Sequence, residues 1–389
     1  MLKKLTFKLG MKWNGHGANH FAKAEAAEKN HNEAEALAAY ELAAKNGHAK
    51  AQYRLAQRYF LGLGVKKNHA EAIVWYQKAA EQGDAEAQFS LGVIYRKGRG
   101  VAPNPAEAMH WYKKAAEQGL MEAQNNLASL YYYGEGGVPD FAEAMRWYKK
   151  VAEQDVPNAQ YNLGIMYQKG KGVQSNFVEA LRWYTEAAGQ GHVQAQFNLG
   201  VMYDKGEGVP QNPTLAAHWY KKAAEAGHAK AQNNLGYLYE SGEGLAQDSA
   251  ESLIWYTKAA EQGVVEAQHN LGFMYETGLG VQADAVKAFR WYTKAAEQNF
   301  AVSQHNLAEL YYYGRGVEID VAEAVRWYNK SAEQGNVHAQ FSLGMLYWHG
   351  EDLQQDVLEA YHWLKRAAAQ GHDEAQAQLA LLPLDELFK

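Results

Sequence analysis

Cysteine is absent from the 389 residues, which excludes a disulfide framework, a thiolate nucleophile and a thiolate zinc site. No stretch approaches the ~20 consecutive apolar residues that span a bilayer. The opening segment, MLKKLTFKLGMKWNGHG, carries lysines but lacks the apolar core of a signal peptide. A cytoplasmic location is expected on that basis, with the periplasm or secretion as the alternative where a leader has been removed. An excess of basic charge is also missing. The formal net charge is −6, the wrong sign for a protein whose main partner is nucleic acid. No phosphate loop, nucleophile elbow or dinucleotide fingerprint occurs, and the G-x-G-V segments lack the lysine a phosphate cradle requires. A hydrophobic content of 47% and a charged content of 21% describe a folded chain.

What the sequence has in abundance is periodicity. Trp75, Trp111, Trp147, Trp183, Trp219, Trp255, Trp291, Trp327 and Trp363 follow one another at a constant interval, and a tyrosine follows each except Trp363, where Leu364 stands. A glutamine recurs at the same interval from Gln52 to Gln376. Nine units of equal length therefore run from 49–84 to 337–372 without insertion or deletion. A period of this size marks a stack of repeated units, and such arrays grow in length without dividing into separate cores.

The unit 85–120 shows the local logic. Ala87, Leu91, Ile94 and Tyr95 stand at helical spacing, as do Ala108, Trp111, Tyr112, Ala115 and Ala116. Gly98 and Gly100 separate the two stripes, and Gly119 closes the second. Each unit is thus expected to be a hairpin of a helix A, a glycine-rich loop and a helix B. The closing glycine is replaced in two copies by Asp155 and Asn299, the residue types that best tolerate left-handed backbone. A glycine or alanine follows the helix-A leucine in every copy, which implies a close approach of the partner helix. Residues 1–17 read as an N-terminal segment expected to be loose, and 18–48 as a degenerate capping hairpin with Ala39 and Tyr40 in the Trp-Tyr slots. Residues 373–389 read as a C-terminal capping helix and tail, the helix stopping at Pro383.

The repeated string, as in AQYNLGIMYQKGKGVQSNFVEALRWYTEAAGQGH, resembles the Sel1-like repeat, a relative of the tetratricopeptide repeat, over about residues 49–382. The resemblance implies an all-α fold, a right-handed α-solenoid superhelix of helix-loop-helix repeats with helix A lining the concave side. It also implies an adaptor or scaffold role, typical of bacterial members in signalling, secretion and host contact. A cysteine-rich secreted branch with reported β-lactam binding is a poor guide to a chain without cysteine.

Comparison among the copies separates constant positions from variable ones. The residue after the glutamine is often aromatic: Tyr53, Phe89, Tyr161, Phe197 and Phe341. An asparagine comes next in most copies: Asn126, Asn162, Asn198, Asn234, Asn270 and Asn306, with Ser90 and Ser342 toward the ends. One turn on stand Tyr237 and Phe273, and beyond the helix-A tyrosine stand Tyr132, Tyr312 and Trp348. These residues make up the candidate partner-binding groove. Asparagine carries both donors and acceptors, so the ladder either holds the backbone of an extended peptide, as the resemblance implies, or bonds the adjacent hairpin. The triplets Tyr131–Tyr133 and Tyr311–Tyr313 mark two sub-sites or a duplication, and duplication is the simpler reading.

Neither catalysis nor a cofactor nor a metal site is expected. Most histidines occupy loop or outer-helix positions, and the glutamates of the EAxxWY segments read as solvated helix faces. The function expected is a non-enzymatic scaffold, monomeric, that binds a protein or peptide, with neither nucleic-acid binding nor membrane insertion. Narrower alternatives are an immunity or inhibitor protein that sequesters a toxin or effector enzyme, and a secreted or envelope virulence adaptor. A hydrolase or β-lactam-binding protein is the remotest alternative.

Overall fold

Helix B of every repeat starts on an asparagine or aspartate whose side chain accepts a backbone N–H of the first turn, from Asn68 at His69–Glu81 to Asp356 at Val357–Ala369. Such caps satisfy amide groups that have no intrahelical partner. Helix A ends on a glycine in the left-handed region, as at Gly98 after Ala85–Lys97 and Gly314 after Ala301–Tyr313. After helix B the chain needs positive φ once more. Asp155 and Asn299 adopt it at 58° and 68°, as expected of the two residues that replace glycine there.

The computed structural model describes the backbone of residues 2–350 and 354–382, and the side chains of residues 16–350 and 354–382. Pro383 and the tail beyond it lie outside the described residues, as do the side chains at the start of the 1–17 segment. Among the described residues there are 21 helices and no strand. The first two are Leu2–Lys29 and Glu33–Lys45, nine A–B hairpins follow, and Asp373–Leu379 is the last helix. Two compact units divide the chain, residues 1–192 and 193–389. Within each unit every helix packs on its neighbours along the chain. Numbering the hairpins 1 (49–84) to 9 (337–372), the first unit holds hairpins 1 to 4 and the second holds hairpins 5 to 9.

The core of hairpins 1 to 8 is the helix-B tyrosine lying on the small residue of helix A, and in hairpin 9 Leu364 takes its place against Gly344. A Cβ added at Gly200 would stand 2.4 Å from the Tyr220 ring, and one at Gly272 would stand 2.5 Å from the Tyr292 ring. The tyrosines are almost wholly enclosed, with Tyr184, Tyr256 and Tyr292 at 0% exposure. Seven of the nine repeat tryptophans are buried beside them, whereas Trp219 and Trp291 are half-buried. Glutamates expected to be merely solvated have a partner: Glu71, Glu143 and Glu251 accept the indole N–H of Trp75, Trp147 and Trp255 at 2.9–3.1 Å. A lysine one turn on covers the ring, as Lys258 does over Trp255 at 4.0 Å.

The recurring glutamine joins one hairpin to the next. Gln268 is buried; its Nε2 donates to the Ala260 carbonyl at the end of the preceding helix B, at 3.2 Å. Its Oε1 accepts Nε2 of Gln298 from its own helix B at 2.7 Å. The same three-part clamp recurs at Gln52, Gln88, Gln160, Gln232, Gln304 and Gln340. Buried amides paired on both ends stiffen the stack, because breaking one leaves a desolvated polar group.

Gly200→Val should destabilise its hairpin by about 1–3 kcal/mol, since two methyls would be forced into the Tyr220 ring. Gly200→Ala should cost much less, because Ala56, Ala128 and Ala308 occupy the same slot. Urea denaturation of the two variants checks this, and an alanine variant as unstable as the valine one would contradict it.

Candidate functional site

On helix A, residues four and eight positions after the aromatic slot share its face, so variable side chains of successive hairpins line up on one side of each unit. The structure divides the sixteen sequence-predicted residues into three groups. The first group is the aromatics after the glutamine, which are half-buried. Tyr53, Phe89, Tyr161 and Phe197 lie 5.7–5.9 Å from the tyrosine ring of their own helix B. A histidine from the loop that follows stacks on several of them, His192 on Tyr161, His228 on Phe197 and His372 on Phe341, at 4.4–4.5 Å. One face of each ring therefore belongs to the stack.

The asparagine ladder is the second group, and four of its members face the buried tyrosine of the preceding hairpin. Asn126, Asn234, Asn270 and Asn306 stand beside the hydroxyls of Tyr112, Tyr220, Tyr256 and Tyr292 and draw the pKa of those phenols down. Those hydroxyls donate in turn to a carboxylate on their own helix A in three cases, Tyr220 to Asp204 at 3.2 Å, Tyr256 to Glu240 at 2.8 Å and Tyr292 to Glu276 at 2.9 Å. Burial, then the neighbouring carboxylate, pushes the Tyr256 and Tyr292 phenols far above the ordinary value, with the asparagine pulling the other way. Ser90 and Ser342, where the ladder lacks asparagine, make the same contact to Tyr76 and Tyr328. The ladder thus serves the stack at these positions. Asn198 is half-buried, and Asn162 opens on a pocket.

The third group faces outward or lines a pocket. Tyr237 and Phe273 are 51% and 42% exposed. Tyr132 and Asn162 line one pocket, and Tyr312 and Phe341 another. Trp348 packs beside the Leu364 cluster at the end of the chain. Tyr133 and Tyr313, 67% and 59% exposed, stand at the two pockets together with Lys169 and His349. The last two were missed by sequence reasoning, although each stands one turn after the slot that also holds Tyr237 and Phe273.

Histidines serve local structure. Nδ1 of His48, His228 and His372 caps a helix A by accepting a backbone N–H at 3.2–3.3 Å. His269 and His305 fill the aromatic slot against Tyr292 and Tyr328. Among the described residues no group of three His, Cys, Asp or Glu side chains gathers as metal ligands would. No described helix is long and apolar enough to cross a membrane.

The fold and this outward face define a tandem helical-hairpin repeat protein, with a rigid frame and a variable surface on helix A. The family model for the Sel1 repeat matches nine segments: 49–84, 85–120, 122–156, 157–192, 193–228, 229–264, 265–300, 301–336 and 337–372. The chain belongs to the Sel1 repeat family, whose members are in general protein-interaction scaffolds without enzymatic activity. Among solved structures it is similar to a protective antigen present in uropathogenic Escherichia coli strains that displays an SLR fold. That protein is 37% identical over 88% of this chain and 81% of its own, with a TM-score of 0.74. It is also similar to a Sel1 repeat protein from Oxalobacter formigenes, 34% identical over 79% of this chain and 89% of the other, with a TM-score of 0.65. No curated protein matches the chain.

His305 offers a pH test of the frame. Burial, with His338 beside it, pushes its imidazole down to about 4, against ~6.5 in an unfolded chain. The folded state holds it neutral, so its contribution is complete above pH ~6.5 and is lost as the pH falls from there toward 4, up to about 3 kcal/mol. His305→Phe, which places there the residue found at Phe89, Phe197 and Phe341, should flatten the fall in Tm between pH 6.5 and 4. An unchanged pH dependence would contradict the assignment.

Proposed function

We propose that this chain is a monomeric, non-enzymatic scaffold that binds a protein or peptide along the helix-A face. One observation carries the reading. Large aromatic side chains stand exposed there, Tyr133, Tyr237, Phe273 and Tyr313 at 42–67%, on a frame whose buried polar groups are largely spent on holding the hairpins together. Exposed aromatics on a rigid surface are the usual anchors of a protein interface. The asparagines that stand beside tyrosine hydroxyls face the stack, which moves recognition from the ladder to the aromatics.

The narrower form that the net charge of −6 favours is sequestration of a basic toxin or effector enzyme. A secreted or envelope adaptor is favoured instead by the likeness to a protective antigen of uropathogenic bacteria. Cell fractionation separates the cytoplasmic location that suits the first from the exported one that suits the second.

The test is affinity purification of the intact chain from a bacterial lysate and from culture medium, with each captured protein then remeasured in purified form. A partner is expected whose affinity falls at least tenfold in the Tyr237→Ala, Phe273→Ala double variant while the Tm stays within a few degrees. Full affinity in the double variant, or no protein bound in either setting, would overturn the reading, as would turnover of a β-lactam.

A further inference from the structure

The two tyrosine triplets, five repeats apart in the sequence, build the same pocket twice. In the first unit, Tyr132 and Tyr133 of hairpin 3 meet Tyr148 of the same hairpin and Asn162, Ile165 and Lys169 of hairpin 4, around a volume of about 230 Å³. In the second unit Tyr312, Tyr313 and Tyr328 of hairpin 8 occupy the equivalent places. Ser342, Met345 and His349 of hairpin 9 stand for Asn162, Ile165 and Lys169, around about 210 Å³. Either volume is of the order of one large apolar side chain. The apolar part of the walls suits it, being phenol rings with Ile165 in the first pocket and with Phe341, Met345 and Leu346 in the second.

An ion pair of opposite polarity stands beside each pocket. Arg96, at the end of helix A in hairpin 2, binds Glu135 in the loop after the first triplet through two bonds of 2.9 and 2.7 Å. In the second unit the same junction is closed with the charges exchanged, Glu276 of hairpin 7 binding Arg315 after the second triplet at 3.0 Å. In both, the arginine also reaches the side chain three residues before the first pocket tyrosine, Ser129 at 3.4 Å and Glu309 at 3.3 Å. An interaction made with opposite polarity at two equivalent places holds the loop after the tyrosine-bearing helix to the preceding hairpin, which preorganises the pocket wall.

We infer that each pocket takes a large apolar anchor side chain from a protein partner, and that the pocket of hairpins 3 and 4 prefers an anchor flanked by carboxylates. This rests on the scaffold reading and assigns its anchoring sites. The preference follows from charge. Lys169 is an exposed cation at that pocket, with no described ion pair, whereas His349 replaces it in the second, where Glu309 adds a carboxylate. An acidic segment carrying phenylalanine or leucine complements the first site better than the second.

The test uses the intact chain and two probes, an acetylated hexapeptide with one phenylalanine among glutamates and its counterpart with lysines. NMR titration should place the acidic probe first at Tyr133 and Lys169. Tyr133→Ala, at an exposed position, should weaken that binding about tenfold with the Tm unchanged, and Lys169→Glu should reverse the preference between probes. Tyr313→Ala should affect only the second pocket. Equal binding of a probe with alanine in place of phenylalanine would overturn the inference, as would equal binding by the Tyr133→Ala variant. If a purified partner keeps full affinity for a Tyr133→Ala, Tyr313→Ala double variant, the scaffold reading stands and this assignment falls. If the intact chain binds no partner and neither probe, both fall.

Discussion

The helix-B tyrosine does two things at once, and the rest of the stack depends on both. Its ring lies on the glycine or alanine of its own helix A, so the two helices of a hairpin sit close enough to exclude any larger side chain. Its hydroxyl, buried in the stack, needs polar company from two places: a carboxylate on its own helix A, to which it donates, and an asparagine or serine of the next helix A, which stands beside it. A single residue thereby fixes the packing within one hairpin and the register of the next. The buried glutamine does the same at the other end of helix A, between the preceding helix B and its own. Neighbouring hairpins are thus joined by apolar contact and by directional bonds, and directional bonds are what allow only one register.

This division of labour explains how function is compatible with so repetitive a sequence. Positions that meet the tyrosine, the glutamine or the caps have little freedom. Those one and two turns further along helix A are not tied to one residue type by the stack, so Val93, Ser129, Tyr237, Phe273 and Glu309 occupy one slot in different copies. Diversity of this kind on a stiff frame provides a recognition surface without the entropic cost of ordering loops. The two pockets extend the same logic, since each is assembled from two consecutive hairpins and exists only because their spacing is held.

The fold was legible in the sequence because its period, its caps and its small residues each obey a backbone rule. Asp155 and Asn299 in place of glycine pointed to left-handed backbone, and both adopt it. The polar interior was far less legible. An asparagine at a helix-A position presents the same donors to a peptide as to a tyrosine hydroxyl, and only the stacking of neighbouring hairpins puts Asn270 beside the hydroxyl of Tyr256. The glutamates before tryptophan read as solvated because a carboxylate on an amphipathic helix usually is, yet Glu251 meets an indole N–H. The pockets were hidden for a different reason. Tyr133 and Lys169 lie on different hairpins, and nothing in either segment alone brings them together.

The central claim, that one hydroxyl couples consecutive hairpins, is tested most directly by hydrogen exchange on a Tyr256→Phe variant, which deletes the hydroxyl and keeps the ring. The account predicts faster amide exchange in hairpin 6 and also along Val265–Thr277, the helix A of hairpin 7 that carries Asn270. Faster exchange confined to hairpin 6, with that next helix protected as before, would contradict it.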